Sequence, residues 1–289
     1  MKHNLNRLFR VTGTLFLLAF LVAGCRSAGG SSTETFAIPF PNDDLTTITL
    51  TASAGNMTVR AQDGASLNGT TTTNVGAWRT TSTVGGDSIT LTQGQANADV
   101  IPNAENIWDI ALGRAQPIVL NVQNGAANGN FDLSGLRLRG MTVQGAAGNI
   151  ALRYPMPNPE ADGGQITIRL QNGGVTAHDV LNFHLNLWTI TTFGGDVELV
   201  FNGLENNLTQ DLLVNITTRT GNVRLAVPMT VPSQIIYRTA SGVAVTIDPQ
   251  FQQLDQITYT NSAYADAVTP RLQVDVRTST GDFHLTGAD

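Results

Sequence analysis

The sequence predicts an all-β fold, a single-stranded, β-helix-like β-solenoid with coils of roughly 20–26 residues. Three observations support this prediction. Apolar and polar residues alternate in short runs such as Ile166–Leu170, which is the pattern of a half-buried strand. A glycine and a polar residue precede many of these runs. The glycines at positions 148, 174, 195, 221 and 242 are separated by 26, 21, 26 and 21 residues.

In the recurring unit, the glycine permits a backbone bend that a Cβ would obstruct, and the following Asn or Asp tolerates turn geometry. The same motifs would suit hairpin turns, so an antiparallel β-sandwich is the alternative fold. The best helix candidate is short, Asn103–Leu112, and could cap or interrupt the solenoid. Copies of the unit are Gly55-Asn56-Met57-Thr58-Val59, Gly148-Asn149-Ile150-Ala151-Leu152, Gly195-Asp196-Val197-Glu198-Leu199, Gly221-Asn222-Val223-Arg224-Leu225 and Gly281-Asp282-Phe283-His284-Leu285.

The N-terminal 24 residues have the features of a signal peptide. A basic start that includes Lys2 precedes the apolar stretch Val11–Gly24. As a helix this stretch would span about 21 Å, which is short of the ~30 Å hydrocarbon core and fits a signal sequence better than a transmembrane helix. The stretch ends in Leu21-Val22-Ala23-Gly24-Cys25, which resembles the bacterial lipobox. We therefore expect a lipoprotein that is cleaved before Cys25 and anchored in the membrane by acyl chains, including palmitate, on that residue.

The expected organisation is a signal peptide over residues 1–24, a flexible tether over 25–35 and one β-solenoid domain over 36–289. Small and polar residues dominate Ser27–Thr35, which favours flexibility. The predicted location is the cell envelope, facing the cell exterior or the periplasm.

The composition after the leader excludes several functions. Residues 25–289 contain 13 arginines, no lysine and 22 carboxylates, a net charge of −9. Lysine-based catalysis and a phosphate-binding P-loop are therefore excluded, and nucleic acid is not an expected partner. Cys25 is the only cysteine, so disulfides and thiolate metal clusters are also excluded. We expect no cofactor, and the sequence indicates no catalytic residue.

Two segments carry a resemblance to known families. The first segment is Asn128-Gly129-Asn130-Phe131-Asp132-Leu133-Ser134-Gly135-Leu136-Arg137-Leu138, followed by residues 141–149. It resembles the toast-rack domain of envelope-stress-response proteins. The later Thr-rich Gly-Asn and Gly-Asp units are similar to adhesin-type repeats, and together the resemblance covers roughly residues 110–289. It implies a β-solenoid with an adhesin-like or regulatory role and no established catalytic residues.

Candidate binding residues are few. Alternation within Phe183–Trp188 places Trp188 and His184 on the side opposite Leu185, so an exposed Trp188–His184 pair is the candidate ligand-binding spot. His178 and His184 would share one side of a continuous strand, but two histidines and Asp179 are too few for a structural zinc site. We expect no metal site.

The sequence favours a non-catalytic, adhesin-like surface-binding or structural module of the cell envelope. Its expected partners are the membrane, through the lipid on Cys25, and a cell-wall polymer, a polysaccharide or an envelope protein. One alternative is an envelope-stress sensing module. A second is a carbohydrate-active hydrolase or lyase, which would need two opposed carboxylates.

Overall fold

The computed structural model describes residues 30–41, 44–95, 103–160, 163–204, 208–240, 242–266 and 270–288. Within these ranges the chain is almost entirely β-structure, with one short helix, α1 (Ser262–Asp266), and 3-10 turns at Gly76–Trp78 and Val180–Phe183. The strands are β1 (Ser32–Pro39), β2 (Thr46–Gln62), β3 (Ser66–Thr73), β4 (Thr80–Gly85), β5 (Ser88–Gln93), β6 (Asn106–Gly113), β7 (Pro117–Asp132), β8 (Arg137–Ala147), β9 (Ile150–Arg153), β10 (Gln165–Asn172), β11 (Val175–His178), β12 (Leu187–Gly194), β13 (Val197–Val200), β14 (Leu212–Thr220), β15 (Val223–Pro228), β16 (Ser233–Thr239), β17 (Val245–Ile247), β18 (Gln252–Gln253), β19 (Thr258–Thr260), β20 (Leu272–Thr280) and β21 (Phe283–Ala288).

Successive coils stack in parallel and in register, which confirms the β-solenoid and rules out the alternative sandwich. Each coil contributes one strand to a first face, face A, then bends and contributes a second strand to face B. The long strands β2 and β7 continue through the bend. Face A has the order β4–β5–β2–β7–β8–β10–β12–β14–β20–β16–β19–β18. Face B has the order β1–β3–β6–β2–β7–β9–β11–β13–β15–β21–β17.

Stacked glycines make the bend between the faces possible. A Cβ on Gly221 would collide with the carbonyl oxygen of Gly195, and a Cβ on Gly281 would collide with that of Gly221. The predicted glycine repeat is therefore present, but two of the glycines at the bends are not the ones predicted. Gly173, rather than Gly174, contacts the preceding coil in this way, and Gly281 occupies the position expected for Gly242.

The polar residue after the glycine ties each coil to the next. The side-chain oxygen of Asn149 accepts a hydrogen bond from the backbone N–H of Gly174 (2.8 Å), and that of Asp196 accepts one from the backbone N–H of Asn222 (2.8 Å). The oxygen of Asn222 in turn accepts from the N–H of Asp282 (2.9 Å). These contacts give the recurring Gly-Asn and Gly-Asp units a specific role, because they satisfy the backbone at each bend.

At both ends of the stack the coils are out of sequence order. The C-terminal strands β20 and β21 insert between the β14/β15 coil and the β16/β17 coil, with parallel pairing on both sides. The coil made by β5 and β6 lies outside β2, although it follows β2 in the chain. Antiparallel strands flank these outer coils: β1, β3 and β4 at one end, and β18 and β19 at the other.

Inward side chains of the two faces form one continuous apolar core, whose largest fully buried members include Trp108, Trp188, Tyr154 and Phe131. The segment proposed as a helix, Asn103–Leu112, is instead strand β6 from Asn106 onward. It pairs with β2 on one side and β3 on the other, so strand pairing overrides the weak helical pattern.

Part of the predicted tether is a β-strand. Strand β1 starts at Ser32, and Ser32–Thr35 pair with Thr70–Thr73 of β3. The predicted tether over residues 25–35 is therefore too long at its C-terminal end, because its last four residues have a strand partner. The described part of the tether comprises residues 30–35, and the rest lies outside the described residues.

Candidate functional site

Face A presents two outward columns of polar side chains across seven consecutive coils, from β5 to β14. Neighbouring strands of a sheet lie about 4.8 Å apart, so equivalent side chains recur at that spacing. The central column is Thr90, Thr49, Asn121, Thr142, Thr167, Thr189 and Asn215. The second column, two residues further along each strand, is Thr92, Thr51, Gln123, Gln144, Arg169, Thr191 and Thr217.

The polar groups of these two columns are available to a ligand. Every side chain of the columns is half-buried or exposed. None of them makes a hydrogen bond or an ion pair with another residue in the described part of the chain. Their hydroxyl, amide and guanidinium groups therefore face solvent as a regular array of donors and acceptors.

Charge is distributed unequally between the two faces. Arg169 is the one charged side chain in the two columns, which contain no carboxylate. Face B instead carries cross-coil ion pairs, such as Arg60–Asp109 at 2.5 Å and Arg153–Asp132 at 2.6 Å. Elsewhere on face A, Arg137 and Arg139 of β8 form ion pairs with Glu160, and Asp275 of β20 lies near two arginines. The two columns themselves are therefore neutral apart from Arg169.

A groove of about 1020 Å³ runs beside the second column, at the bend between the faces. Small residues occupy the next outward position of three adjacent coils: Ser53 on β2, Gly125 on β7 and Ala146 on β8. A Cβ on Gly125 would collide with the carbonyl oxygen of Ser53, so close packing of the coils requires glycine there. The groove is also lined by Gln123, Gln144, Arg169, Gln171, Thr191, Trp78 and Gln95.

The outward positions of Ser53, Gly125 and Ala146 form a third column, the outer column. Larger side chains replace these small ones at its far end. Gln171 lines the groove on β10, and Phe193 occupies the matching position on β12 with 53% of its surface exposed. The guanidinium carbon of Arg219, on the next coil, lies 4.8 Å from the centre of the Phe193 ring. Arg219 approaches the ring from the following coil, and Gln171, at the matching position of the preceding coil, lines the groove.

The predicted Trp188–His184 site is wrong. Trp188 is fully buried and its ring packs edge-on against Phe183, with 4.9 Å between the ring centres. His184 is half-buried, and its Nδ1 lies 2.9 Å from the carbonyl oxygen of Asn158. The prediction assumed an unbroken strand. The chain instead adopts left-handed backbone at Asp179 and His184 around the 3-10 turn, which reverses the alternation before Trp188.

The same turn separates the two histidines, since His178 ends β11 and His184 follows the turn. Among the described residues, no group of three or more His, Cys, Asp or Glu side chains is arranged to hold a metal ion.

In the described part of the chain, no helix has both the length and the apolarity to cross a membrane. Cys25, the predicted lipidation site, lies outside the described residues.

Sequence reasoning missed Phe193. Alternation along β12 gives the relevant signal, because it places Thr189, Thr191 and Phe193 on the outward side and Ile190 and Thr192 on the inward side. The groove itself left a weaker signal, the runs of small residues at 52–54, 125–127 and 145–148. Nothing local to those runs shows that they lie side by side.

The N-terminal part of the chain is similar to a known family. Residues 27–162 match the family model described as the N-terminal domain of toast_rack. This confirms the resemblance proposed from residues 128–149 and extends it toward the N-terminus. No match to this chain exists among the curated proteins.

Similar solved structures share little sequence with this chain. A candidate cell adhesion protein from Clostridium sporogenes is 16% identical, with a TM-score of 0.48, and the alignment covers 90% of this chain and 100% of that protein. A candidate adhesin from Bacteroides fragilis is 10% identical, with a TM-score of 0.39 and coverage of 91% and 100%. A candidate lipid-binding protein from Parabacteroides distasonis is 10% identical, with a TM-score of 0.37 and coverage of 90% and 98%.

Proposed function

We propose that this chain, whose residues 27–162 carry a toast_rack N-terminal domain, is a non-catalytic, adhesin-like binding module of the cell envelope. In this proposal an acyl anchor on Cys25 holds the module at the membrane, and face A binds an extended partner. The observation that carries the proposal is the seven-coil array of unpaired polar side chains beside the groove.

The regular spacing of the array favours an extended ligand. A single hydrogen bond contributes only about 0.5–1.5 kcal/mol net, so weak contacts must be repeated to give useful affinity. Each coil adds one polar side chain at the equivalent position of its strand, for example Gln123, Gln144 and Thr191. A partner that is itself repetitive can therefore engage several coils at once.

The chemistry of the array favours binding over catalysis. General acid–base catalysis and nucleophilic catalysis need groups such as carboxylates, imidazoles or thiols near the reacting atoms. The two columns contain only Thr, Asn, Gln and Arg169, and the groove-lining residues add Ser, Gly, Ala, Leu and Trp; none of these described residues is a carboxylate, an imidazole or a thiol.

The proposal is tested by filling the groove. Full-length protein in detergent is immobilised and exposed to isolated wall polymer and to a solubilised envelope fraction from the same organism. The Ala146→Trp variant places a large ring among the groove-lining residues. The matched control is Ala151→Trp, at an exposed outward position of β9 on face B.

We expect saturable retention by the wild-type protein and by Ala151→Trp. We expect at least a tenfold loss with Ala146→Trp, equivalent to about 1.4 kcal/mol. Equal retention by the two Trp variants would contradict the assignment of the groove as the binding site. Absence of retention by the wild-type protein would contradict the binding role.

A further inference from the structure

We infer that the groove binds a single chain of a neutral, linear polysaccharide, which lies along the stacking direction and packs a sugar ring against Phe193. This inference rests on the proposed function and names the ligand of the same site. Shape, charge and the aromatic side chain each support it.

The shape of the groove fits a chain rather than a compact ligand. Its lining residues come from five adjacent coils, those of β2, β7, β8, β10 and β12. At about 4.8 Å per coil this corresponds to a path of roughly 19 Å along the stack. The path runs across the strands, so a polymer lying in it meets a new amide, hydroxyl or guanidinium group at every coil.

The charges of the groove-lining residues favour a neutral ligand. The groove-lining residues include one cation, Arg169, and no carboxylate. An acidic polymer would present one anion per repeat and would need several cations in a line to offset the cost of desolvation. A basic polymer would need carboxylates, and none is among the groove-lining residues. Amides, hydroxyls and a lone guanidinium match hydroxyl groups, which both donate and accept hydrogen bonds.

The aromatic side chain selects a sugar among neutral ligands. Sugar rings present an apolar C–H face that packs on aromatic rings, while their hydroxyl groups point outward to polar neighbours. Phe193 is 53% exposed, and the guanidinium of Arg219 lies 4.8 Å from the centre of its ring. Phe193 occupies the position on β12 that matches the groove-lining Gln171 on β10, so a chain that continues past the amide-lined path meets an apolar side chain next.

The location of the site disfavours a peptide ligand. Extended peptides bind sheets by adding a strand to an open edge, where unpaired backbone groups supply the hydrogen bonds. The strands that line the groove, from β2 to β12, each have partners on both sides. The groove therefore offers side chains and not a strand edge.

The experiment measures binding of defined oligosaccharides to full-length protein in detergent by isothermal titration calorimetry. The probes are neutral linear hexamers of glucose, mannose and N-acetylglucosamine, their shorter forms down to the disaccharide, and an acidic hexamer of galacturonic acid. We expect at least one neutral series to bind. Its affinity should rise with length and then level off once the chain exceeds the groove. Stronger binding of the acidic hexamer, or no binding of any neutral hexamer, would overturn the inference.

Variants at position 193 separate stacking from general apolar contact. Phe193→Ala and Phe193→Leu should each weaken binding of the neutral hexamer about tenfold, whereas Phe193→Trp should bind at least as tightly as the wild-type protein. Circular dichroism and thermal melts verify that each variant is folded. Unchanged affinity in folded Phe193→Ala would overturn the role of this ring.

The two proposals can fail separately. If wall polymer is retained and Ala146→Trp abolishes retention, but no neutral glycan binds, then the groove is a binding site and the ligand class is wrong. If neither wall polymer nor any glycan binds the wild-type protein, both proposals are wrong.

Discussion

Asp275 lies between two arginines on face A, in the coil that the C-terminal strands insert into the stack. Its carboxylate is 2.5 Å from Arg238 of the outer neighbouring coil and 3.3 Å from Arg277 of its own strand. Partial burial alone would raise the pKa of Asp275, but hydrogen bonds from the two guanidinium groups outweigh that effect and hold the pKa below its ordinary value. The charged carboxylate therefore stabilises the folded chain.

We predict that Asp275→Asn lowers the free energy of unfolding at neutral pH by about 1–3 kcal/mol. Because the folded pKa is depressed, the stabilisation is complete above the unfolded pKa and is lost as the pH falls through the folded pKa. Urea unfolding of both proteins between pH 2 and pH 7 measures this. The difference should be constant above about pH 5 and shrink below about pH 4. A pH-independent difference would show that the carboxylate charge is not the cause.

Trp188 packs in the core and has no exposed surface to offer a ligand. Its ring is fully buried against Phe183, and its Nε1 has no hydrogen-bond partner among the described residues. We expect Trp188→Ala to destabilise the protein by about 3–5 kcal/mol, because it leaves a large cavity. Trp188→Phe should cost much less, since no hydrogen bond is lost. Chemical denaturation measures both, and polymer retention by folded Trp188→Phe should equal that of the wild-type protein.

At the scale of strands and bends, glycine sets the spacing of the coils. Gly221 and Gly85 provide a matched pair, because a Cβ on Gly221 would collide with backbone of the preceding coil whereas a Cβ on Gly85 would meet nothing within 4 Å. We predict that Gly221→Ala destabilises the protein by about 2 kcal/mol or more, and that Gly85→Ala changes stability by less than about 0.5 kcal/mol. Thermal and urea unfolding compare the two, and equal effects would contradict the stacking argument.

Local chemistry made the repeating unit predictable, and long-range pairing made other elements unpredictable. Gly221-Asn222 could be recognised because glycine and asparagine act within one bend. The strand at 106–113 was not foreseen, because its pairing with β2 and β3 depends on residues 33 to 51 positions away in the chain. Trp188 was wrongly predicted to be exposed for a related reason, since the short turn at Val180–Phe183 reverses which side chains face outward.

At the scale of the whole molecule, the coil made by β20 and β21 lies inside the stack, between two coils that precede it in the chain. Strands β20 and β21 are paired on both sides and bury Leu272, Val274, Val276, Phe283 and Leu285. This order could not be read from the sequence, because the unit at Gly281 has the same pattern as its neighbours. Strands β20 and β21 therefore complete the stack between two coils that precede them in the chain.

We predict that ending the chain at residue 270 abolishes cooperative folding. Loss of five buried apolar side chains removes about 10 kcal/mol, which is comparable to the total stability of a domain, and also separates β14 from β16. Deletion of Ser32–Pro39 is the control, because β1 is an outer strand with one partner and is only half-buried. Urea titrations followed by circular dichroism should show a transition for the control and none for the truncated chain. A normal transition in the truncated chain would contradict the inserted topology.

The central claim is that face A, and not face B, binds polymer. The chain has a single cysteine, so a Cys25→Ser background leaves an introduced thiol as the only one. Thr191→Cys places it beside the groove, and Thr58→Cys places it at an equally exposed position of β2 on face B. Each variant is labelled with a bulky maleimide, and retention of wall polymer is measured with and without the label. We predict that labelling at position 191 lowers retention about tenfold and that labelling at position 58 has no effect. Loss of retention on labelling at position 58 alone, or no loss at either position, would contradict the claim.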